Sequence, residues 1–172
     1  MIIVLIGYMG SGKSSIGRRL SKRLNYNLID LDDYIIKKEN ATVKEIFEGK
    51  GEAYFRKKEE KYLRKLLKTK GDIILSLGGG TPCFGKNMHY VLETKKAKSF
   101  YLKGSVSKLT DKLILKKESR PLIATIETKD KLAEFIEKHL SDRAPYYAKS
   151  EYQIITDGKT KKEAVNEIIA LL

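Results

Sequence analysis

Short apolar runs alternate with longer amphipathic stretches along the whole chain. Ile2-Ile3-Val4-Leu5-Ile6 is an unbroken, mostly β-branched run, which predicts a strand buried on both faces. Residues 14–24 follow with Ile16, Leu20 and Leu24 at helical spacing, so a helix is expected directly after a short loop. Asn27-Leu28-Ile29-Asp30 predicts a second strand that ends in acidic residues. Residues 42–70 are helical in composition, and Gly49 and Gly51 break them into a short helix and a longer one. A third strand over 72–77 runs into Gly78-Gly79-Gly80, and a fourth over 98–102 precedes a helix over 105–117. A polar, proline-containing segment over 118–128 leads to a helix over 129–140. Tyr152-Gln153-Ile154-Ile155 predicts the last strand, and residues 160–172 the terminal helix.

Strands that alternate with helices predict a parallel sheet covered on both faces. The expected architecture is a three-layer α/β/α fold with a five-stranded parallel sheet. No repeat, low-complexity tract or long linker divides the chain, so one domain over 1–172 is expected. A chain of 172 residues can bury a core without staples, and its single cysteine excludes a disulfide framework. No signal sequence precedes the first strand, whose five apolar residues fall far short of the ~20 that cross a bilayer. A soluble, cytoplasmic protein is expected.

Charge changes the picture less than its size suggests. The formal net charge is +13, a value found in nucleic-acid binders. Here the cations are mostly lysines interleaved with glutamates (Lys57, Lys58, Lys61, Lys65, Lys68), with no aromatic-rich basic motif beside them. A solvated lysine surface is the simpler reading, and no nucleic-acid partner is expected. A positive field also helps to gather anionic substrates such as ATP.

Gly7-Tyr8-Met9-Gly10-Ser11-Gly12-Lys13-Ser14 fits G-x-x-x-x-G-K-[ST]. Its glycines let the backbone curl so that successive N–H groups face phosphate oxygens; Lys13 can reach the β- and γ-phosphates, and Ser14 can ligate the bridging Mg²⁺. The strand before it and the helix after it supply the context this mechanism requires. Ligands of open parallel sheets bind beyond the carboxyl ends of the strands, which selects two further clusters. In Asp30-Leu31-Asp32-Asp33, Asp30 and Asp32 point to the same side if the chain is still extended there. One carboxylate can then hold a water of the Mg²⁺ shell while the other accepts the proton of an attacking hydroxyl, and Asp33 suits a helix N-cap. Three consecutive glycines, Gly78, Gly79 and Gly80, make sense where backbone must approach a ligand closely. Cys83 reads as a small buried residue, not an activated thiol. Against the lysine background, Arg56, Arg120 and Arg143 are candidates for bidentate contacts to carboxylate or phosphate.

Taken in order, these pieces resemble the shikimate kinase family of P-loop kinases over nearly the whole chain. The resemblance rests on the loop at 7–14, Ile29-Asp30-Leu31-Asp32, Ile46-Phe47, Gly51-Glu52 with Phe55-Arg56, Gly78-Gly79-Gly80, Arg120-Pro121-Leu122, and Arg143-Ala144-Pro145 with Tyr147. It implies transfer of the γ-phosphoryl of ATP to the 3-hydroxyl of shikimate, with Mg²⁺. By this resemblance Gly10, Ser11, Gly12, Lys13, Ser14 and Ser15 hold the nucleotide. Ser14 and Asp30 serve the metal, and Asp32 binds and orients or deprotonates the acceptor. Arg56 and Arg143 clamp its carboxylate, with Gly78, Gly79 and Gly80 lining the pocket. Arg120 would swing over the phosphates on a mobile lid at about 118–128. A monomer is the default expectation for the family and size. The chain departs from the family pattern at Ser15, at Thr81-Pro82-Cys83 on the pocket rim, and at Leu113-Ile114-Leu115-Lys116-Lys117, which lacks the usual adenine-stacking arginine. Another small-molecule kinase, such as a gluconate kinase, and a nucleotide-dependent RNA-binding module are the alternatives.

Overall fold

In a computed structural model, which describes residues 1–117, 120 and 122–172, five parallel strands form one sheet in the order β2-β3-β1-β4-β5. The strands are β1 (Ile2–Ile6), β2 (Asn27–Asp30), β3 (Ile73–Ser76), β4 (Ala97–Lys103) and β5 (Tyr152–Ile155). The helices are α1 (Lys13–Leu24), α2 (Leu31–Glu39), α3 (Val43–Leu67), α4 (Asn87–Glu93), α5 (Val106–Ile114), α6 (Lys129–Tyr147) and α7 (Lys161–Ala170).

All five residues of β1 are buried because side chains on both of its faces meet helices. Ile2, Val4 and Ile6 join Leu31 and Ile35 of α2, Leu63 of α3, Leu109 of α5 and Leu132 of α6 in one core. Ile3 and Leu5 join Ile16 and Leu20 of α1 and Val165 and Ile168 of α7 in the other. The period of two along the strand therefore sorts the helices into two layers. Register fixes the rest: Leu5 pairs with Ser76 of β3 and with Phe100 of β4, so β1 and β3 end side by side at the edge where ligands bind.

Several helices differ from the expectations. Helix α2 begins on the residue after β2 with no loop between, so Asp30 is both the last residue of the strand and the N-cap, its carboxylate accepting the Asp32 N–H at 3.0 Å. Asp30 and Asp32 thus do not lie on one extended strand: Asp32 stands in the first helical turn, and the capping role expected of Asp33 belongs to Asp30. Within α3 only Gly51 leaves helical geometry, at φ 81°, while Gly49 stays in the helix. Helix α4 lies in a stretch given no element from sequence. Helix α6 continues past Leu140 to Tyr147 with Pro145 in its last turn, where the ring supplies no N–H to the carbonyl four residues back.

Candidate active site

The phosphate loop crosses from β1 to α1 with Gly10 and Gly12 at φ 80° and 103°, a left-handed geometry that glycine adopts without strain. No side chain caps α1, so its first N–H groups remain available to an anion. Lys13 turns its ammonium back onto the loop and donates to the carbonyls of Gly7 at 2.6 Å and Tyr8 at 3.1 Å. Burial lowers its pKa to about 8, against the opposing pull of Asp30 and Asp32; Arg120 and Arg143 add to the lowering. Those partners show that Lys13 shares one electrostatic neighbourhood with both carboxylates and two of the candidate arginines. Ser11 is buried with its hydroxyl unpartnered among the described residues, Ser14 is exposed, and Ser15 is half-buried in the next turn position.

A cavity of about 260 Å³ opens beside Ser11 and Gly12, lined also by Lys108 and Lys112 of α5 and by Thr156, Lys159 and Lys161 near the start of α7. Those lysines were not singled out from sequence, since only the fold brings α5 and the β5–α7 connection to the phosphate loop. A wider groove of about 570 Å³ runs along α3 between Lys57 and Lys68, lined by that helix alone.

Across the cleft, the turn after β3 touches three of the predicted residues in succession. A Cβ on Gly78 would lie 2.8 Å from Asp32 Oδ1, one on Gly79 would lie 3.2 Å from Arg143 Nη1, and one on Gly80 would lie 3.1 Å from Arg56 Nη2. A side chain at Gly78 would displace the Asp32 carboxylate, and one at Gly79 or Gly80 would crowd the tip of Arg143 or Arg56. Burial raises the Asp32 pKa to about 6, with the Asp30 and Glu59 charges adding to the rise and Lys13 and Arg56 opposing it. Asp30 itself is held from two sides, by the Asp32 N–H and by the Ser76 hydroxyl at 3.1 Å.

The arginine side of the cleft has supports that the sequence did not disclose. Arg56 Nη1 meets Glu59 Oε2 at 3.0 Å, and Glu59, only 1% exposed, accepts the Thr81 hydroxyl at 2.6 Å on its other oxygen. The i,i+3 spacing of Arg56 and Glu59 was the available signal. Tyr147, one turn beyond Arg143 on α6, is fully buried and donates to the Gly79 carbonyl at 2.5 Å. Cys83 lies within electrostatic reach of Arg143 and Arg56, yet burial raises its pKa, so the thiol stays protonated. Arg120 keeps its Nε buried and unpartnered among the described residues. Glu118, Ser119 and Pro121, on which part of the expected lid and of Arg120-Pro121-Leu122 falls, lie outside the described residues.

A phosphate loop at the start of α1, faced by carboxylates and a cationic wall at the neighbouring strand ends, defines a P-loop kinase for a small acceptor. A family model described as shikimate kinase matches residues 9–172. A shikimate kinase of Flavobacterium psychrophilum is 48% identical over 170 residues, covering 99% of this chain and 98% of that protein. The crystal structure of shikimate kinase from Bacteroides thetaiotaomicron superposes with a TM-score of 0.89 at 33% identity, covering 99% of this chain and 97% of the other. Shikimate kinase from Acinetobacter baumannii in complex with shikimate gives 0.83 at 30%, covering 99% and 91%. The chain belongs to the shikimate kinase family. Among the described residues, no helix is long and apolar enough to cross a membrane.

Proposed function

We propose that the protein transfers the γ-phosphoryl of ATP to the 3-hydroxyl of shikimate, giving shikimate 3-phosphate and ADP on the route to aromatic amino acids. The observation that carries this reading is the contact of Gly78, Gly79 and Gly80 with Asp32, Arg143 and Arg56 in turn. A compact acceptor with one carboxylate and several hydroxyls needs a cationic clamp and a hydrogen-bond acceptor within a few ångströms of each other, and this turn gathers both. The family match and the shikimate complex of the Acinetobacter relative favour it over a gluconate kinase or an RNA-binding module.

Gly10, Ser11, Gly12, Ser14 and Ser15 hold the nucleotide phosphates, and Lys13 gives up its loop carbonyls to neutralise the transferring group. Arg56 and Arg143 fix the carboxylate, which turns a bimolecular encounter into an oriented one. Asp32, poised near neutrality, orients the 3-hydroxyl and takes its proton. Arg120, whose charge already reaches Lys13, meets the phosphates and stabilises developing charge.

Ser14 and Asp30 offer the hard oxygen donors that suit Mg²⁺, and the two hydrogen bonds to Asp30 fix its carboxylate for that task. An ion held there would supply positive charge against the phosphates of the transferring group. The family and the chain's size suit a monomeric, single-domain enzyme of the cytoplasm. The test is shikimate-dependent ADP release by purified protein with ATP and Mg²⁺. A folded sample that binds ATP and shows no such turnover would overturn the reading.

A further inference from the structure

We propose that Phe84, with Thr81 at the other end of the same turn, is a positioning element that sets the preference for a carboxylated acceptor by fixing Arg56. The inference rests on the reading of Arg56 as part of the carboxylate clamp. It arises from the Thr81-Pro82-Cys83 segment, which follows directly on the three glycines.

That segment forms a single 3₁₀ turn, Thr81–Cys83, followed at once by Phe84 in extended geometry. The Arg56 guanidinium carbon lies 3.7 Å from the centroid of the Phe84 ring, a stacking distance. A guanidinium is weakly hydrated on its faces, so the ring replaces little water and leaves the N–H edges to carboxylates. In the plane, Nη1 meets the buried Glu59 at 3.0 Å and Nε meets the exposed Glu52 at 3.2 Å. Glu59 is in turn fixed by the Thr81 hydroxyl, and Thr81, wholly buried, has its carbonyl held by Asn87 Nδ2 at 2.9 Å. Gly80 leaves room for the Nη atoms at the turn.

One short segment therefore grips Arg56 twice: directly on its face through Phe84, and at its edge through Thr81 and Glu59. An arginine left loose would surrender its rotamer freedom when the acceptor arrives; here that loss has already occurred on folding. With its plane fixed, the fork offers paired N–H groups to a planar anion and much less to a neutral hydroxyl. Phe84 and Thr81 touch the clamp and not the reacting atoms, so their influence falls on acceptor binding and discrimination.

The experiment compares shikimate with its analogue carrying a hydroxymethyl group in place of the carboxylate, under saturating ATP and Mg²⁺. Phe84→Ala should raise KM for shikimate about tenfold. It should leave kcat, KM for ATP and kcat/KM for the analogue within about twofold of wild type, because the clamp discriminates only the anion. Phe84→Tyr should keep wild-type behaviour. Phe84→Leu retains apolar volume without the π face and should behave as the alanine variant, which keeps the test open if Phe84→Ala folds poorly. Thr81→Val should shift the same ratio and Thr81→Ser restore it. Equal loss toward both acceptors would mark Phe84 as merely structural and overturn the proposal. A raised shikimate KM in Arg56→Ala beside an unchanged one in Phe84→Ala and Phe84→Leu would overturn it alone. An unchanged shikimate KM in Arg56→Ala would overturn the clamp reading itself, and this proposal with it.

Discussion

Tyr8 Oη and His139 Nδ1 stand 2.8 Å apart, their rings edge to face with centroids 5.5 Å apart. Tyr8 belongs to the phosphate loop, and His139 lies on α6 one turn before Arg143. The donor side of the cleft is thus joined to the helix that carries Arg143, half of the proposed acceptor clamp. Burial pushes the Tyr8 hydroxyl up to about 12, with Arg143 opposing, so Tyr8 keeps its proton. Burial and the Arg143 charge lower the His139 pKa, against Asp142, so the ring is neutral and accepts.

Tyr8→Phe leaves that ring nitrogen without its donor and should destabilise the protein by about 1 kcal/mol. For a chain of this length the melting temperature should fall by roughly 2–4 °C. The sign of the pH dependence follows from the depressed His139 pKa: the unfolded chain binds the proton more readily. The stability held by the neutral ring is complete above the unfolded value of about 6.5 and is lost as pH falls below it. Burial and the Arg143 charge act on the ring in both proteins, so both should lose stability as pH falls below about 6.5. Equal melting temperatures of the two proteins at pH 8, where the ring is neutral, would reject the donor–acceptor assignment.

Asp32 and Lys13 set opposite limits on activity. Asp32, raised to about 6, must be ionised to take a proton, so kcat/KM should climb through that pH. Lys13, lowered to about 8, must be charged, so the same quantity should decline above it. In the nucleotide complex the phosphates favour the ammonium form, and the alkaline limb of kcat should move upward. Initial rates measured across pH 5–10 check both limbs. A flat profile of kcat/KM between 5 and 7 would remove Asp32 from the proton-accepting role.

The raised Asp32 pKa also has a consequence for stability. Its folded form holds a proton more tightly than the unfolded chain, so stability falls as pH rises from about 3.9 through about 6, and the whole cost is present above that. Asp32→Asn keeps the shape and removes the charge. The ligand-free variant should melt several degrees higher than wild type at pH 7.5, while kcat falls by roughly 10²-fold or more. A variant that is both inactive and less stable would mean that the Asp32 charge supports the fold through Lys13 and Arg56.

How much of this was legible without coordinates depends on the range of the interaction. The phosphate loop and β1 were readable because their residues act as neighbours in sequence, and β5 was delimited to the residue. Helix α2 was hidden because it follows β2 without a loop, so the capping aspartate read as the end of an extended acidic run. Pro145 disguised the end of α6, because a proline inside a helix gives up an N–H and ordinarily marks a boundary. The glycine triplet signalled a close approach, but what approaches it, Asp32, Arg143 and Arg56, comes from α2, α6 and α3. Glu59 shows the limit best: its spacing to Arg56 is local, yet its burial depends on Thr81, 22 residues away. Side chains that hold other side chains leave no pattern of their own.

Arg120 supplies the remaining test. Its N–H donates to Lys117 O at 2.9 Å and its carbonyl accepts from Ile123, which is fully buried in the core, so the backbone at this point is anchored. The guanidinium lies close enough to Lys13 to lower that ammonium's pKa, and its Nε has no partner among the described residues. A buried donor left unmatched costs stability, which the oxygens of a bound phosphate would relieve. Arg120→Ala should therefore lower kcat by about 10²–10³-fold, with KM for shikimate little changed. Arg120→Lys restores one charge without the planar fork and should recover less than about tenfold of the loss. Steady-state kinetics with each substrate varied in turn checks this. Full rescue by lysine, or a defect confined to shikimate KM, would move Arg120 off the phosphates and onto the acceptor.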